Sequence, residues 1–227
     1  MTRETYELLE SFMSSCMDAA DCAHGPEHII RVLNNALDIA AHEENVDLDV
    51  LIAACLLHDI GRRAQLENPV LCHAQVGAEM AQTFLSNNGF DDVFAEHVAA
   101  CIRAHRYRKE NPMNSIEAKI LFDADKLDAV GVMGIARTLS YNGVIGRPLY
   151  TRTEDGSISE STDAPSSFIR EYNYKLKNVY DRFQTARAAE IARERRPSAI
   201  AFYDSLLHEI RSSDEAGRSM LEKHLGT

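Results

Sequence analysis

The chain has 227 residues, 45% hydrophobic and 26% charged, no Trp, and a formal net charge of -11. Such acidity argues against nonspecific binding to duplex nucleic acid, which relies on Lys and Arg to neutralise phosphates. It leaves room for a small phosphorylated ligand held at a local positive site. No apolar run approaches the ~20 residues of a membrane helix, and the segment from Met1 to Met17 lacks a secretory apolar core. Five cysteines without a CxxC pair suggest neither a disulfide framework nor a Cys-based zinc site. The expectation is a cytoplasmic protein with no membrane partner.

Apolar residues recur at intervals of three and four almost throughout, without sustained period-two alternation, so the expected fold class is all-α. Residues 3–20 predict a first amphipathic helix. Ala23-His24-Gly25-Pro26 is a break and a restart, with Pro26 suited to the first helical position. That helix reaches about Glu44 and lines up Ile29, Val32, Leu33, Ala36, Ile39 and Ala40. Asp47 or Asp49 caps the next, whose run from Val50 to Leu57 is apolar on all sides and therefore belongs in the core. It ends at His58-Asp59-Ile60-Gly61, with Gly61 as the stop. Residues 73–87 form a helix closed by Asn87-Asn88-Gly89, and Asp91 or Asp92 opens one to about Arg106. Ser115 precedes a long helix carrying Ile120, Leu121, Ala124, Leu127 and Val130, reaching Ser140 with a bend near Gly131 or Gly134. Cys55, Cys101 and His97 fall within apolar patterns and read as core residues.

Residues 142–167 are punctuated by Gly143, Gly146, Pro148, Gly156 and Pro165 and read as a long loop with room for a short hairpin. A helix over 168–196, a break or kink at Pro197 and a last helix at 198–212 complete the prediction. The organisation expected is a single domain over 1–227. It has a metal-site core at 20–140, the 142–167 loop, and C-terminal helices over 168–227 packed on the core.

The chemistry gathers at His28, at the adjacent pair His58-Asp59, and in the tract Asp123-Ala124-Asp125. Imidazole with carboxylate suits a divalent metal of hard or borderline character. Neighbouring side chains on a helix point about 100° apart, but at the last turn two neighbours can reach around one ion. Residues from other helices then close the site. Asp123, Asp125 and Asp128 interrupt a core-type helix, and buried carboxylates are costly unless paired or coordinated. A bound metal is the simplest explanation.

The order H…HD…D resembles the HD superfamily of metal-dependent phosphohydrolases. The matching pieces are His24 to Val32, then Ala54-Cys55-Leu56-Leu57-His58-Asp59-Ile60-Gly61, then Asp123-Ala124-Asp125-Lys126-Leu127-Asp128-Ala129. The similarity spans residues 20 to about 140. Small stand-alone bacterial HD hydrolases of about this length also resemble the chain at Tyr174-Lys175-Leu176 and from Thr185 to Arg195. The resemblance implies an HD-domain helical bundle with a C-terminal helical pair and one long loop. It maps the metal ligands onto His28, His58, Asp59 and Asp125. Asp123 competes for the last position; Asp125 is favoured because it precedes Lys126-Leu127-Asp128-Ala129 as the ligand does in the family. The implied activity is hydrolysis of a small phosphorylated substrate, a nucleotide by preference, at a phosphomonoester or pyrophosphate bond. Water is activated on a divalent ion: Mn, Mg, Fe, Co, Ni or Zn, with Mn or Mg favoured.

His73 and His105 lie roughly where some HD subfamilies carry the ligands of a second metal. Those subfamilies tend to show two adjacent histidines where this chain has His105-Arg106. A catalytic role beside Asp59, bonding phosphate or the activated water, is therefore preferred for both. The basic island from Arg103 to Lys109 suggests a phosphate clamp. The substrate-binding candidates are Arg62, Arg106, Lys126, Asp128 and Lys175. Two other classes remain open: a di-iron oxygenase and a nucleotide-binding regulatory module without turnover. So does a homodimer.

Overall fold

The computed structural model describes residues 1–17, 25–106 and 111–226. Among these the elements are α1 (Arg3–Cys16), α2 (Pro26–Ala40), α3 (Leu48–Leu57), α4 (Arg62–Glu67), α5 (His73–Asn87), α6 (Asp92–Ala104), α7 (Ile116–Leu127), α8 (Gly131–Val144), α9 (Phe168–Tyr174), a 3-10 turn (Leu176–Asn178) and α10 (Ala186–Leu225). The fold is all-α, with an isolated antiparallel bridge between Arg152 and Ile158. No described helix is long and apolar enough to cross a membrane. The chain divides into two units: Met1–Ala129 with Asp181–Ile191, and Val130–Tyr180 with Ala192–Thr227.

The first unit is built around α3, which packs against α1, α2, α6 and α7. Its residues from Ala53 to Leu57 are all buried, as the unbroken apolar run requires. Helix starts follow the sequence. Asp47 accepts from the amides of Asp49 and Val50, Asp91 from those of Val93 and Phe94, and Ser115 from that of Ala118. Cys55 and Cys101 are buried, and His97 sits at the core edge with its Nε2 3.2 Å from buried Glu117. Arg187 forks onto Asp38 with two bonds of 3.0 Å.

Several boundaries differ from the sequence reading. α1 ends at Cys16, and residues 18–20 of the expected helix lie outside the described residues, as do Tyr107, Arg108 and Lys109. α2 stops at Ala40, four residues short of the expected end. Gly61 is no left-handed stop: its φ is -82°, and it opens α4, an element the sequence pattern did not suggest. The long helix expected after Ser115 is two helices, parted at Asp128–Val130. There Gly131 takes a φ of 68°, and its amide donates to the Tyr180 hydroxyl at 3.1 Å.

The second unit packs Ile135, Phe168, Ile169, Tyr172, Leu176, Ala199, Tyr203 and Leu207 into its own core, with the rings of Tyr172 and Tyr203 stacked at 3.9 Å. The expected helix over 168–196 ends instead at Tyr174. Pro197, expected to break or kink the chain, lies inside α10, so the break is not what forms. Its missing N–H frees only the carbonyl of Arg193. Both residues are exposed, so the freed carbonyl is open to solvent. Within the 142–167 segment, α8 holds the first three residues, and the Arg152–Ile158 bridge forms the expected hairpin contact. Arg152 then pairs with Asp214 through bonds of 2.6 and 2.9 Å.

Candidate metal centre

Five helices of the first unit bring six side chains to one place. His28 lies in the first turn of α2, His58 caps the end of α3 with Asp59 next to it, His73 begins α5, His105 caps α6, and Asp125 sits near the end of α7. All but Asp125 are buried. Gly61 makes the convergence of α3 and α5 possible. A β carbon there would lie 2.3 Å from the His73 carbonyl oxygen and 2.6 Å from the Gly77 amide nitrogen.

The histidine anchors fix which nitrogen faces the centre. Nδ1 of His58 bonds the Cys55 carbonyl at 2.8 Å, and Nδ1 of His105 bonds the Ile102 carbonyl at 2.6 Å. A carbonyl oxygen accepts, so each Nδ1 carries the hydrogen. Nδ1 of His28 lies 2.7 Å from the Asp128 carboxylate, and Nδ1 of His73 lies 2.6 Å from Gln65 Oε1, both acceptors. In the neutral ring, Nε2 of all four is then a lone pair. These lone pairs face one another: His28 and His58 at 3.4 Å, His73 and His105 at 3.3 Å. Two nitrogens each ~2.1 Å from one ion sit roughly 3.0–3.4 Å apart.

Asp59 stands between the pairs. Its Oδ2 is 3.7 Å from Nε2 of both His28 and His58, and its Oδ1 is 3.4 Å from His73 and 3.7 Å from His105. Both oxygens are buried, and neither has a hydrogen-bond partner among the described residues. Arg62 Nε comes within 3.1 Å of Oδ1, but its N–H is not aimed at it. Two sets of donor atoms result, His28–His58–Asp125 and Asp59–His73–His105, each within 4.8 Å. Facing lone pairs around an orphaned buried carboxylate are what a divalent cation satisfies, so the residues present fit such an ion.

Electrostatics keeps the donors in ligand form. Burial pushes His58 down to about 4 and His73 down to about 2, so both rings are neutral near pH 7. Burial by itself would raise Asp59, but the Arg62 guanidinium outweighs it and holds the carboxyl well below the usual range. His28 Nε2 lies 3.4 Å from Asp125 Oδ1.

Asp123, the competitor to Asp125, is engaged elsewhere. Its oxygens accept from the Gln184 amide at 2.9 Å and from the Thr185 amide and hydroxyl at 2.7 Å. Of the expected substrate-binding residues, Arg62 borders Asp59, and Arg106 acts electrostatically on His73 while its buried Nη1 lacks a partner among the described residues. Lys126 has its ammonium 4.2 Å from the centre of the Phe122 ring. Asp128, expected to bind substrate, instead binds His28 and Arg31. Lys175 belongs to the second unit, where it stands 3.5 Å from Glu171. Sequence reasoning missed Arg31, Gln65 and Gly77. The one available signal was spacing: Arg31 follows His28 by three residues, as Asp128 follows Asp125, which places each pair on one helical face.

An all-α fold with histidines and aspartates gathered at helix ends in this order defines a class, and sequence comparison agrees: the family model for the HD domain matches residues 26–130. The chain belongs to the HD superfamily and is a metal-dependent hydrolase by class. It is 31% identical to a protein described as a predicted HD superfamily hydrolase from an uncultured Thermotogales bacterium, covering 89% of this chain and 91% of that one, with a TM-score of 0.61. It is 26% identical over 208 residues to the Bacillus subtilis (strain 168) protein YpgQ, covering 92% of this chain and 95% of YpgQ. The crystal structure of YpgQ in complex with ADP superposes with a TM-score of 0.70 over 90% of this chain and 97% of that one. An HD-superfamily hydrolase from Bacillus thuringiensis is 27% identical, with a TM-score of 0.68 over 92% of this chain and 98% of that one.

Proposed function

We propose that the chain hydrolyses a phosphoester or phosphoanhydride bond of a nucleotide, using a divalent ion held by His28, His58, Asp59 and Asp125. The observation that carries this is Asp59: a buried carboxylate whose two oxygens lack hydrogen-bond partners among the described residues, ringed by four inward-facing imidazole lone pairs. When bound, the ion supplies Lewis-acid polarisation of a phosphoryl oxygen and acidifies a water. The side chains supply the rest. His73 and His105 accept hydrogen bonds on the Oδ1 side of Asp59 and orient the attacking water. Arg62 and Arg106 offer N–H groups without partners among the described residues, suited to the charge spread over a transferred phosphoryl group. The structure of YpgQ with ADP supports a nucleotide as the substrate class.

The test is a screen of nucleoside mono-, di- and triphosphates and simple phosphate esters, using chain stripped with EDTA and reloaded with Mn, Mg, Co or Ni. Turnover should require an ion and vanish in Asp59→Ala. Undiminished turnover in that variant, or nucleotide binding without turnover under any ion, would refute the proposal. The two donor sets meeting at Asp59 favour one second reading, a di-iron oxygenase. Two irons per chain with substrate-dependent oxygen consumption would establish that instead.

A further inference from the structure

Three of the four histidine anchors are neutral: two backbone carbonyls and the Gln65 amide. His28 alone among them is anchored by a carboxylate. Asp128 Oδ2 lies 2.7 Å from His28 Nδ1, and Arg31 grips the same carboxylate through Nε to Oδ1 at 2.7 Å and Nη2 to Oδ2 at 3.0 Å. Asp128 is buried, so its charge needs that bidentate fork. The geometry is a crossing of two short repeats. His28 and Arg31 lie one turn apart on α2, Asp125 and Asp128 lie one turn apart at the end of α7, and α2 packs on α7. His28 thereby meets Asp125 through Nε2 and Asp128 through Nδ1.

We infer that Asp128 and Arg31 are positioning residues for the metal centre: Asp128 fixes the Nδ1–H tautomer of His28 and aims its Nε2 lone pair at the ion, and Arg31 holds Asp128 in place. This rests on His28 being a metal ligand. An ionised carboxylate can only accept, so it forces the hydrogen onto Nδ1. An asparagine there keeps one acceptor oxygen, which Arg31 claims, and turns its NH2 toward the ring. Nδ1 then becomes the acceptor, and Nε2–H points into the centre where a ligand is needed. Partners of this kind also raise the basicity of the ligand they orient.

The experiment uses the full chain, metal-free, with 15N-labelled histidine. Long-range proton–nitrogen spectra at pH 8, with His28 assigned through His28→Ala, should show the Nδ1–H tautomer in the parent protein and Nε2–H in Asp128→Asn. Calorimetric titration with Mn2+ should give roughly 10- to 100-fold weaker binding in Asp128→Asn, and a smaller loss in the same direction in Arg31→Gln. A parent His28 in the Nε2–H form, or parental Mn2+ affinity in Asp128→Asn, overturns the inference. Should Asp128→Asn fail to fold, the parent spectrum and Arg31→Gln decide: parental affinity in Arg31→Gln removes Arg31 from the role. His28→Ala separates the two readings. Undiminished Mn2+ binding there refutes His28 as a ligand rather than the role of its partners.

Discussion

Gly61 and His73 touch where no other residue type fits, since a β carbon on Gly61 would stand 2.3 Å from the carbonyl oxygen of His73. The obstacle is backbone, so no side-chain rotation relieves it. Gly61→Ala therefore has to push α5 away and carry His73 with it. The expected cost is about 1–3 kcal/mol of stability, together with weaker Mn2+ binding. Thermal melting and calorimetry check both, and a variant with parental melting and parental affinity would show that the helices have slack here.

Asp123 and Asp125 should separate cleanly when each is replaced by alanine. Asp123→Ala strands two backbone amides and the Thr185 hydroxyl at the entrance to α10, a loss of about 2–3 kcal/mol. Its Mn2+ affinity should fall little at temperatures where it stays folded. Asp125→Ala should keep its melting temperature without metal and lose Mn2+ affinity by at least tenfold. The reverse pattern would exchange their roles.

Asp59→Asn should be inactive and should no longer respond to metal. The substitution replaces a carboxylate whose charge Arg62 favours with a neutral amide, and its new N–H groups can donate to the His73 and His105 lone pairs. Added Mn2+ should raise the melting temperature of the parent and leave that of the variant unchanged. Stabilisation of the variant by Mn2+ to the parental extent would remove Asp59 from the site.

Acid should destabilise the metal-free protein in two stages. His58 sits near 4 in the folded chain because it is buried, against about 6.5 when unfolded. Between those values the unfolded chain takes up a proton that the folded chain refuses, so stability falls as the pH drops. For His58 alone the loss by pH 4 is on the order of 3 kcal/mol, and His73 adds to it with the same sign. Asp59 is held down by Arg62, so its contribution, present above the usual carboxylate range, is lost at still lower pH. Melting temperatures in EDTA from pH 7.5 to 4 provide the test. A flat profile between 7 and 5 would contradict neutral buried histidines.

The parts of this protein legible in its sequence were those written by local physics. Ser115 caps its helix as expected, the structure takes Asp47 over Asp49 and Asp91 over Asp92, and α5 spans His73–Asn87 as predicted, because capping and periodicity act over a few residues. The histidines and aspartates of the site stood out because polar groups interrupt apolar runs there. What escaped depends on distant neighbours. Gly61 looks like a helix stop until α5 is packed against it. Asp128 looks like a phosphate-side residue until α2 brings His28 and Arg31 to it. Pro197 reads as a break or kink on paper, but an exposed turn tolerates it inside α10. Lys175 was placed by resemblance alone, with no local pattern to test that placement.

The orphaned carboxylate of Asp59 also bears on how long the chain persists. An ion that binds the folded form and ignores the unfolded one adds about 2.7 kcal/mol at a hundredfold excess over its dissociation constant. Supply of that ion therefore sets the fraction of chains open to proteases at any moment. A cell starved of divalent metal would lose this protein's activity twice, first through empty sites and then through falling abundance.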